Sequence, residues 1–501
     1  MKIKRSFQNI FWGLFSQIII LLLGLVLPRL FLIHYGSEIN GIIASVNQVF
    51  TYVALLESGI GAATVQALYK PIIEDNKEDI CSILSATKYY YKKVSLLYLI
   101  AIILISIIYP FLVTTTLNWW QLTLIILFQG LPGVVNFYFQ ATLLQLLLAE
   151  GKNYIVSNVN LIIQISIYIS KIILVLLKVN IIYIQAIYFL ISLVQMLIYF
   201  IYFRRKYKWV NLNKKPNHNA LNQKNSFLIH QISLLIFSST DMIILSIFCD
   251  FEVVSIYSIY NLIFTSINML IGTIYNSISF NLGHNYHACK KNYIKIHDTF
   301  ENYYISFVFA TISICYILII PFLRLYTQGI SDGNYINQPL GLLFCLVQLL
   351  TSIRVICNNL IRISGHMKNT ISRTIIESGI NLVASMFFVN KYGIYGVLMG
   401  TIVALLYRTI DIVLYANYKI LKRKPHKLYK ITIVNMLLFL IVIYISQDLK
   451  LDFVNYLDFI NYSIIISIVI YPIFLTITSI NCRDEWNFIM KYVYSIFPKK
   501  F

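Results

Sequence analysis

Arg29, Lys171, Arg354, Arg362 and Arg408 are set inside long apolar runs of this sequence. Glu57, Asp241, Glu377 and Asp411 are acidic residues in the same situation, and Glu150 stands at the edge of such a run. Charges in apolar helices are rare unless they face an aqueous route or a partner. The chemistry open to them is non-covalent. Guanidinium and ammonium groups can hold an anion, and arginine grips phosphate or carboxylate with a bidentate fork. The five basic residues are therefore candidate substrate contacts. Glu57, Asp241 and Asp411 are candidates for ion or proton coupling, because a carboxyl can carry a proton or bind a small cation.

Local pairing offers a plainer role for several of these. Arg408 and Asp411 stand at i,i+3 and can neutralise each other on one helix, and Glu377 can reach Arg373 one turn earlier. Arg362 lies close enough to the end of its run to extend its head into water, and Arg29 can do the same. Arg354 sits deeper in its run, with no acidic residue within a turn.

Uncharged polar residues form rows around these charges at 100° per residue. Gln129, Asn136 and Gln140 share an arc, as do Asn153, Asn160, Gln164 and Lys171. Asn261, Thr265, Asn268, Gly272, Tyr275 and Ser279 line another face, and Thr351, Arg354, Asn358 and Arg362 a fourth. An unpaired buried amide costs roughly 2–7 kcal/mol, so such rows mark either helix-to-helix glue or a wet cavity. No metal or cofactor is expected. The seven cysteines are scattered without ligand spacing, and His284 and His287 share a basic loop with no further ligand nearby. No GxxxxGK[ST] loop appears, so a nucleotide is not a direct fuel.

The elements that must position these residues are membrane helices. The chain has 501 residues, of which 58% are hydrophobic and 12% charged. Runs of the roughly 20 apolar residues that one crossing requires follow one another along almost its whole length. A backbone in lipid must satisfy its own hydrogen bonds, which selects helices. Fourteen spans are expected, near 8–34, 39–67, 93–115, 120–149, 154–177, 180–203, 226–249, 253–282, 301–324, 338–364, 370–390, 393–418, 430–447 and 457–479. The first follows a charged start but is too long for a signal peptide's apolar core. With the N-terminus in the cytoplasm, 31 of the 40 Lys and Arg residues fall on the cytoplasmic side and only Lys178, Arg324, Lys391 and Lys450 on the other. That asymmetry is the orientation signal of inner-membrane proteins. It places both termini in the cytoplasm and accounts for the net charge of +20 without a nucleic-acid partner. The Ile, Asn, Lys and Tyr bias points to an AT-rich bacterial genome.

Internal echoes recur at nearly one offset. Glu38 matches Glu252, "IIYPFL" (107–112) matches "LIIPFL" (318–323), and "AEGKN" (149–153) matches "SGHMKN" (364–369). The expected fold is thus an all-α polytopic membrane protein with two six-helix lobes in a parallel repeat plus two appended helices. The lobes are 1–203 and 226–418, joined by a basic cytoplasmic linker at 204–225, with 419–501 holding the appended spans and a cytoplasmic tail. Parallel repeats are how transporters build two halves around a central site.

The stretch "LPRLFLIHYGSEINGIIASVNQVFTYVALLESGIGAATVQALYKPI" (27–72) resembles the Wzx-type oligosaccharidyl-lipid flippases. These belong to the multidrug/oligosaccharidyl-lipid/polysaccharide (MOP) exporter superfamily, which also holds MATE drug exporters and lipid II flippases. "SSTDMIILSIF" (238–248) with Tyr257, and "YGIYGVLMGTIVALLYR" (392–408), fit the same pattern. The resemblance implies a non-enzymatic protein of the bacterial cytoplasmic membrane. Its substrate would be an undecaprenyl-pyrophosphate-linked oligosaccharide, flipped from inner to outer leaflet for surface polysaccharide synthesis by alternating access to a cavity between the lobes. Polysaccharide polymerase and chain-length machinery would be its associates. The runner-up is a cation-coupled, MATE-like exporter of small molecules, which would favour acidic and aromatic cavity residues over the arginines seen here. A membrane polymerase or glycosyltransferase would need a large outer loop or paired carboxylates, and the longest outer loops, 325–337 and 448–456, are short and lack such a pair.

Overall fold

A computed structural model describes residues 2–54, 57–221, 240–288, 290–330, 332–449 and 451–496. Among these, all regular structure is helical. Ten helices among the described residues are long and apolar enough to cross a membrane. Of the other four expected spans, 8–34 and 39–67 fall on the first two helices and 370–390 coincides with a helix that carries Arg373, Glu377 and Lys391. Most of 226–249, including its first part, lies outside the described residues. The chain divides into two compact units, 1–258 and 259–501.

In the first unit, α1 (Lys2–Val53) is broken at Gly36, whose φ of 82° is outside the helical range. It is followed by α2 (Ser58–Ile73), α3 (Lys77–Leu112) and α4 (Trp119–Val135). A π-helical turn, Asn136–Gln140, links α4 to α5 (Ala141–Ala149). Then come α6 (Asn153–Leu176), α7 (Ile181–Lys206), α8 (Asp241–Phe248) and the start of α9 (Phe251–Ala288). Leu68, Ile83, Leu84, Leu146, Leu147, Tyr199 and Phe203 from α2, α3, α5 and α7 close into a buried core. Asn76 caps α3 by accepting from the Glu78 and Asp79 amides at 3.1 Å, the usual asparagine role at a helix start.

The second unit takes the rest of α9, then α10 (Lys290–Tyr326), α11 (Gln338–Ile353) and α12 (Val355–Ile363). After these come α13 (Ile371–Tyr392), α14 (Ile394–Tyr415), α15 (His426–Ser446), α16 (Tyr456–Asn481) and α17 (Arg483–Ile496). α13 and α14 pack along their whole lengths because Gly396 and Gly400 present no side chain to their neighbour. A Cβ at Gly396 would lie 2.3 Å from the Phe388 carbonyl oxygen, and one at Gly400 would lie 2.4 Å from the Ser385 nitrogen. Small residues at i,i+4 are a membrane-helix device for close backbone approach. Asn381 Nδ2 donates to Thr401 Oγ1 at 2.9 Å, and Ser385 Oγ to the Val397 carbonyl at 3.2 Å, across the same seam.

The echo between "AEGKN" and "SGHMKN" has a structural counterpart in each unit. Gly151 (φ 69°) ends α5 and Gly365 (φ 77°) ends α12, 214 residues later. In the first stop, the Gly151 amide donates to the Leu148 carbonyl and the Lys152 amide to that of Leu147. In the second, Gly365 donates to Arg362 and His366 to Ile361. Both are glycine-terminated stops that recapture orphan carbonyls. The break upstream recurs as well. The π turn ends at Gln140, and α11 gives way to α12 at Arg354, again 214 residues on.

Candidate functional site

The α13–α14 seam places four charged side chains side by side, and Arg354 at the α11–α12 break completes the group. Arg354 pairs with Glu377 Oε1. Arg408 Nε lies 3.3 Å from Glu377 Oε2, and its Nη1 donates to Asp411 Oδ2 at 2.6 Å. Arg373 pairs with the other Asp411 oxygen, and its guanidinium stands 5.0 Å from the Tyr415 ring centroid. Arg408 Nη2 also donates to Thr374 Oγ1 at 3.0 Å. Within this network two carboxylates serve three guanidiniums, so it carries a positive excess. Exposure is graded across it: Arg408 and Glu377 side chains are 4% exposed, Asp411 14%, Arg354 15% and Arg373 38%. The paired carboxylates hold the forks in place, while Arg373 keeps donors on the accessible side. An arginine has five N–H donors, so one carboxylate partner does not exhaust it.

The Arg408–Asp411 pairing expected from i,i+3 spacing is present. Glu377, expected to reach Arg373, instead joins Arg354 and Arg408, and Arg373 goes to Asp411. The reason is the glycine seam: once α13 lies against α14, cross-helix carboxylates are nearer than the one a turn away. Arg354, with no acidic residue within a turn of its own helix, pairs with one 23 residues along the chain. Glu377 and Arg373 are the members of this site that sequence reading assigned only to each other. Arg362 is exposed, donates to Asn359 Oδ1 at 2.9 Å and to the Tyr275 hydroxyl at 3.3 Å, and takes no part in the network. Asn358 and Asn268 are exposed and Asn261 half-buried in the same unit.

In the first unit Glu150 pairs with Lys152, and the two carboxyls set deeper in apolar runs bond to tyrosine hydroxyls instead. Glu57, ahead of α2, accepts from the Tyr91 hydroxyl, to which Gln145 Nε2 donates at 3.1 Å. Among the described residues no cation lies within ion-pair distance of Glu57. A Cβ at Gly61 would fall 2.8 Å from its Oε1, so the glycine makes room for the carboxyl. Asp241 is buried at the start of α8 and accepts from the Tyr257 hydroxyl at 2.8 Å. Lys171 is half-buried on α6, its ammonium 4.6 Å from the Tyr188 ring centroid on α7, a cation–π contact. Arg29 is half-buried on α1.

The amide rows divide between the two roles open to them. Gln129 is buried and binds α4 to α1, donating to Asn47 Oδ1 and, at 3.3 Å, to the Ile43 carbonyl. Asn160 accepts from Gln195 at 3.0 Å, tying α6 to α7, while remaining exposed. Gln164 is half-buried and Asn136 exposed. The side chains of Gln140, Asn153 and Ser279 lie outside the described residues.

No known protein-family model matches this sequence, and no curated protein does. The fold is similar to solved structures. A lipid II flippase, MurJ, in an inward closed conformation superposes with a TM-score of 0.71 at 18% identity, over 95% of this chain and 99% of that one. An inward-facing multidrug resistance MATE family transporter of the MOP superfamily matches with a TM-score of 0.65 at 14% identity, over 79% of this chain and 94% of that one. The chain thus shares its helical fold with these two solved structures, and ten of its helices among the described residues are long and apolar enough to cross a membrane.

Proposed function

We propose that this protein is a Wzx-type flippase. It carries an undecaprenyl-pyrophosphate-linked oligosaccharide from the inner to the outer leaflet of the bacterial cytoplasmic membrane, by alternating access, for surface polysaccharide synthesis. The observation that carries this reading is the arginine-rich network of Arg354, Arg373, Arg408, Glu377 and Asp411. A sugar diphosphate cannot cross hydrocarbon unaided, whereas its prenyl tail can stay in lipid. Guanidiniums already oriented by carboxylates lose little freedom on meeting a pyrophosphate, and their positive excess favours an anion. Arg29, Lys171 and Arg362 are further candidate cations for the pyrophosphate, and the exposed amides Asn136, Asn160, Asn268 and Asn358 suit sugar hydroxyls. Glu57 and Asp241, bonded to tyrosine hydroxyls, serve as the candidate coupling groups. The fit to MurJ over nearly the whole of both chains supports the reading.

The MATE-like fold keeps a cation-coupled exporter of small molecules as the second reading. Purified protein in proteoliposomes separates the two. Wild type should move a fluorescent prenyl-pyrophosphate oligosaccharide to the opposite leaflet, and Arg354→Ala and Arg373→Ala should slow this at least tenfold while inserting normally. Flipping at the wild-type rate in both variants would remove the charge argument. Ion-driven efflux of a cationic dye, with no movement of the lipid-linked sugar, would establish the exporter instead.

A further inference from the structure

A second buried cluster in the 259–501 unit is unused by the transport reading. It lies near the start of α10. A helix of 37 residues is about 55 Å long, well over the roughly 30 Å hydrocarbon core, so one end must leave the apolar zone. Its polar first turns are that end. There His297 and Asp298, together with Glu301 one turn on, bring a ring nitrogen and two carboxylate oxygens within 4.8 Å of one another, all buried. From α12, Cys357 Sγ reaches Glu301 Oε1 at 3.1 Å.

Two features of this cluster call for a ligand. His297 is 0% exposed and neither ring nitrogen has a hydrogen-bond partner; Nδ1 stands 3.6 Å from Asp298 Oδ1 and 4.0 Å from Glu301 Oε2. Those separations are too long for hydrogen bonds. They are close to the edge of about 3.4 Å that metal–ligand bonds of about 2.1 Å give in a tetrahedron. The neighbouring Tyr293 hydroxyl is buried and also lacks a partner. Leaving such groups unsatisfied costs about 1–3 kcal/mol each.

Charge points the same way. Arg423 binds Asp298 through two nitrogens, and Lys427 donates to Glu485 at 2.8 Å and lies 4.0 Å from Asp298. Those pairs compensate Asp298 and Glu485, while among the described residues no lysine or arginine comes within ion-pair distance of Glu301. A divalent ion would supply the counter-charge that Glu301 lacks.

We propose that His297, Glu301, Asp298 and Cys357 form a binding site for a divalent transition-metal ion of the zinc class. Mixed nitrogen, oxygen and sulfur donors suit zinc rather than magnesium or calcium, which take oxygen. The Asp298–Arg423 pair orients one ligand from outside, as metal sites commonly require. The site would clamp α10 to α12 at one end of the unit.

The test uses the full-length protein in detergent, stripped with chelator and desalted after exposure to zinc. Wild type should retain about one equivalent by elemental mass spectrometry, and cobalt substitution should give tetrahedral d–d bands with a thiolate-to-cobalt charge-transfer band. Cys357→Ser should abolish the charge-transfer band, His297→Gln should release the metal, and Cys482→Ser, a control at another buried cysteine, should change neither. Wild-type protein that retains no zinc, or cobalt spectra that Cys357→Ser leaves unaltered, would overturn the proposal. Because the wild-type cobalt spectrum is itself decisive, a variant that fails to fold does not shelter the idea.

Discussion

Glu377→Gln tests the central network most sharply. Glu377 is 4% exposed, accepts from Arg354 and pairs with Arg408, itself 4% exposed. Gln keeps the volume but removes the charge, leaving Arg408 to share Asp411 with Arg373 and taking from Arg354 its carboxylate partner. Removing one partner of a buried ion pair costs about 3–5 kcal/mol. Arg354 is partly accessible and can relax toward water, so the lower figure, about 3 kcal/mol, is the expectation, equivalent to roughly two decades in the folding equilibrium constant. Arg354→Gln should cost less, because Glu377 still holds Arg408. The double variant should cost well under the sum of the singles, because Arg408 retains Asp411 and no carboxylate is left unmatched. Unfolding of the detergent-solubilised protein, followed by tryptophan fluorescence, gives the three values and their coupling. Singles that add within about 0.5 kcal/mol would mean the two residues do not interact, and a Glu377→Gln effect no larger than that of an exposed glutamate would refute the buried network.

Two further outcomes follow from the backbone. Gly400→Leu should separate α13 from α14, since even a Cβ would lie 2.4 Å from the Ser385 nitrogen. Overpacking of this kind costs about 1–3 kcal/mol or more, and it should weaken the Glu377→Gln effect, so wild-type stability in Gly400→Leu would contradict the seam. Gly151→Ala and Gly365→Ala should each destabilise by about 1 kcal/mol, because a Cβ is disfavoured at positive φ and both glycines otherwise face open space. A large difference between the two would break the likeness of the two helix stops.

The membrane-helical class was legible from the sequence because apolar length is a one-dimensional property: a run long enough to span needs no partner to reveal it. The same holds for the helix stops at Gly151 and Gly365, where the echo between "AEGKN" and "SGHMKN" encodes backbone geometry directly. The Arg408–Asp411 pair was legible too, since i,i+3 spacing fixes proximity on one helix whatever surrounds it. Partners on other helices were not. Nothing in local spacing says that Glu377 meets Arg354, that Lys171 stands over Tyr188, or that Gln129 ties two helices while Asn136 stays exposed. Nor does it say that Cys357, 56 residues from Glu301, reaches its carboxylate. Those are settled by which helix faces touch; for the pairing of Glu377 with Arg408 and of Arg373 with Asp411, that depends on Gly396 and Gly400 letting α13 and α14 approach closely. Sequence alone showed long apolar helices and the charges set within them; only their packing decided where those helices break and which charges are spent on one another.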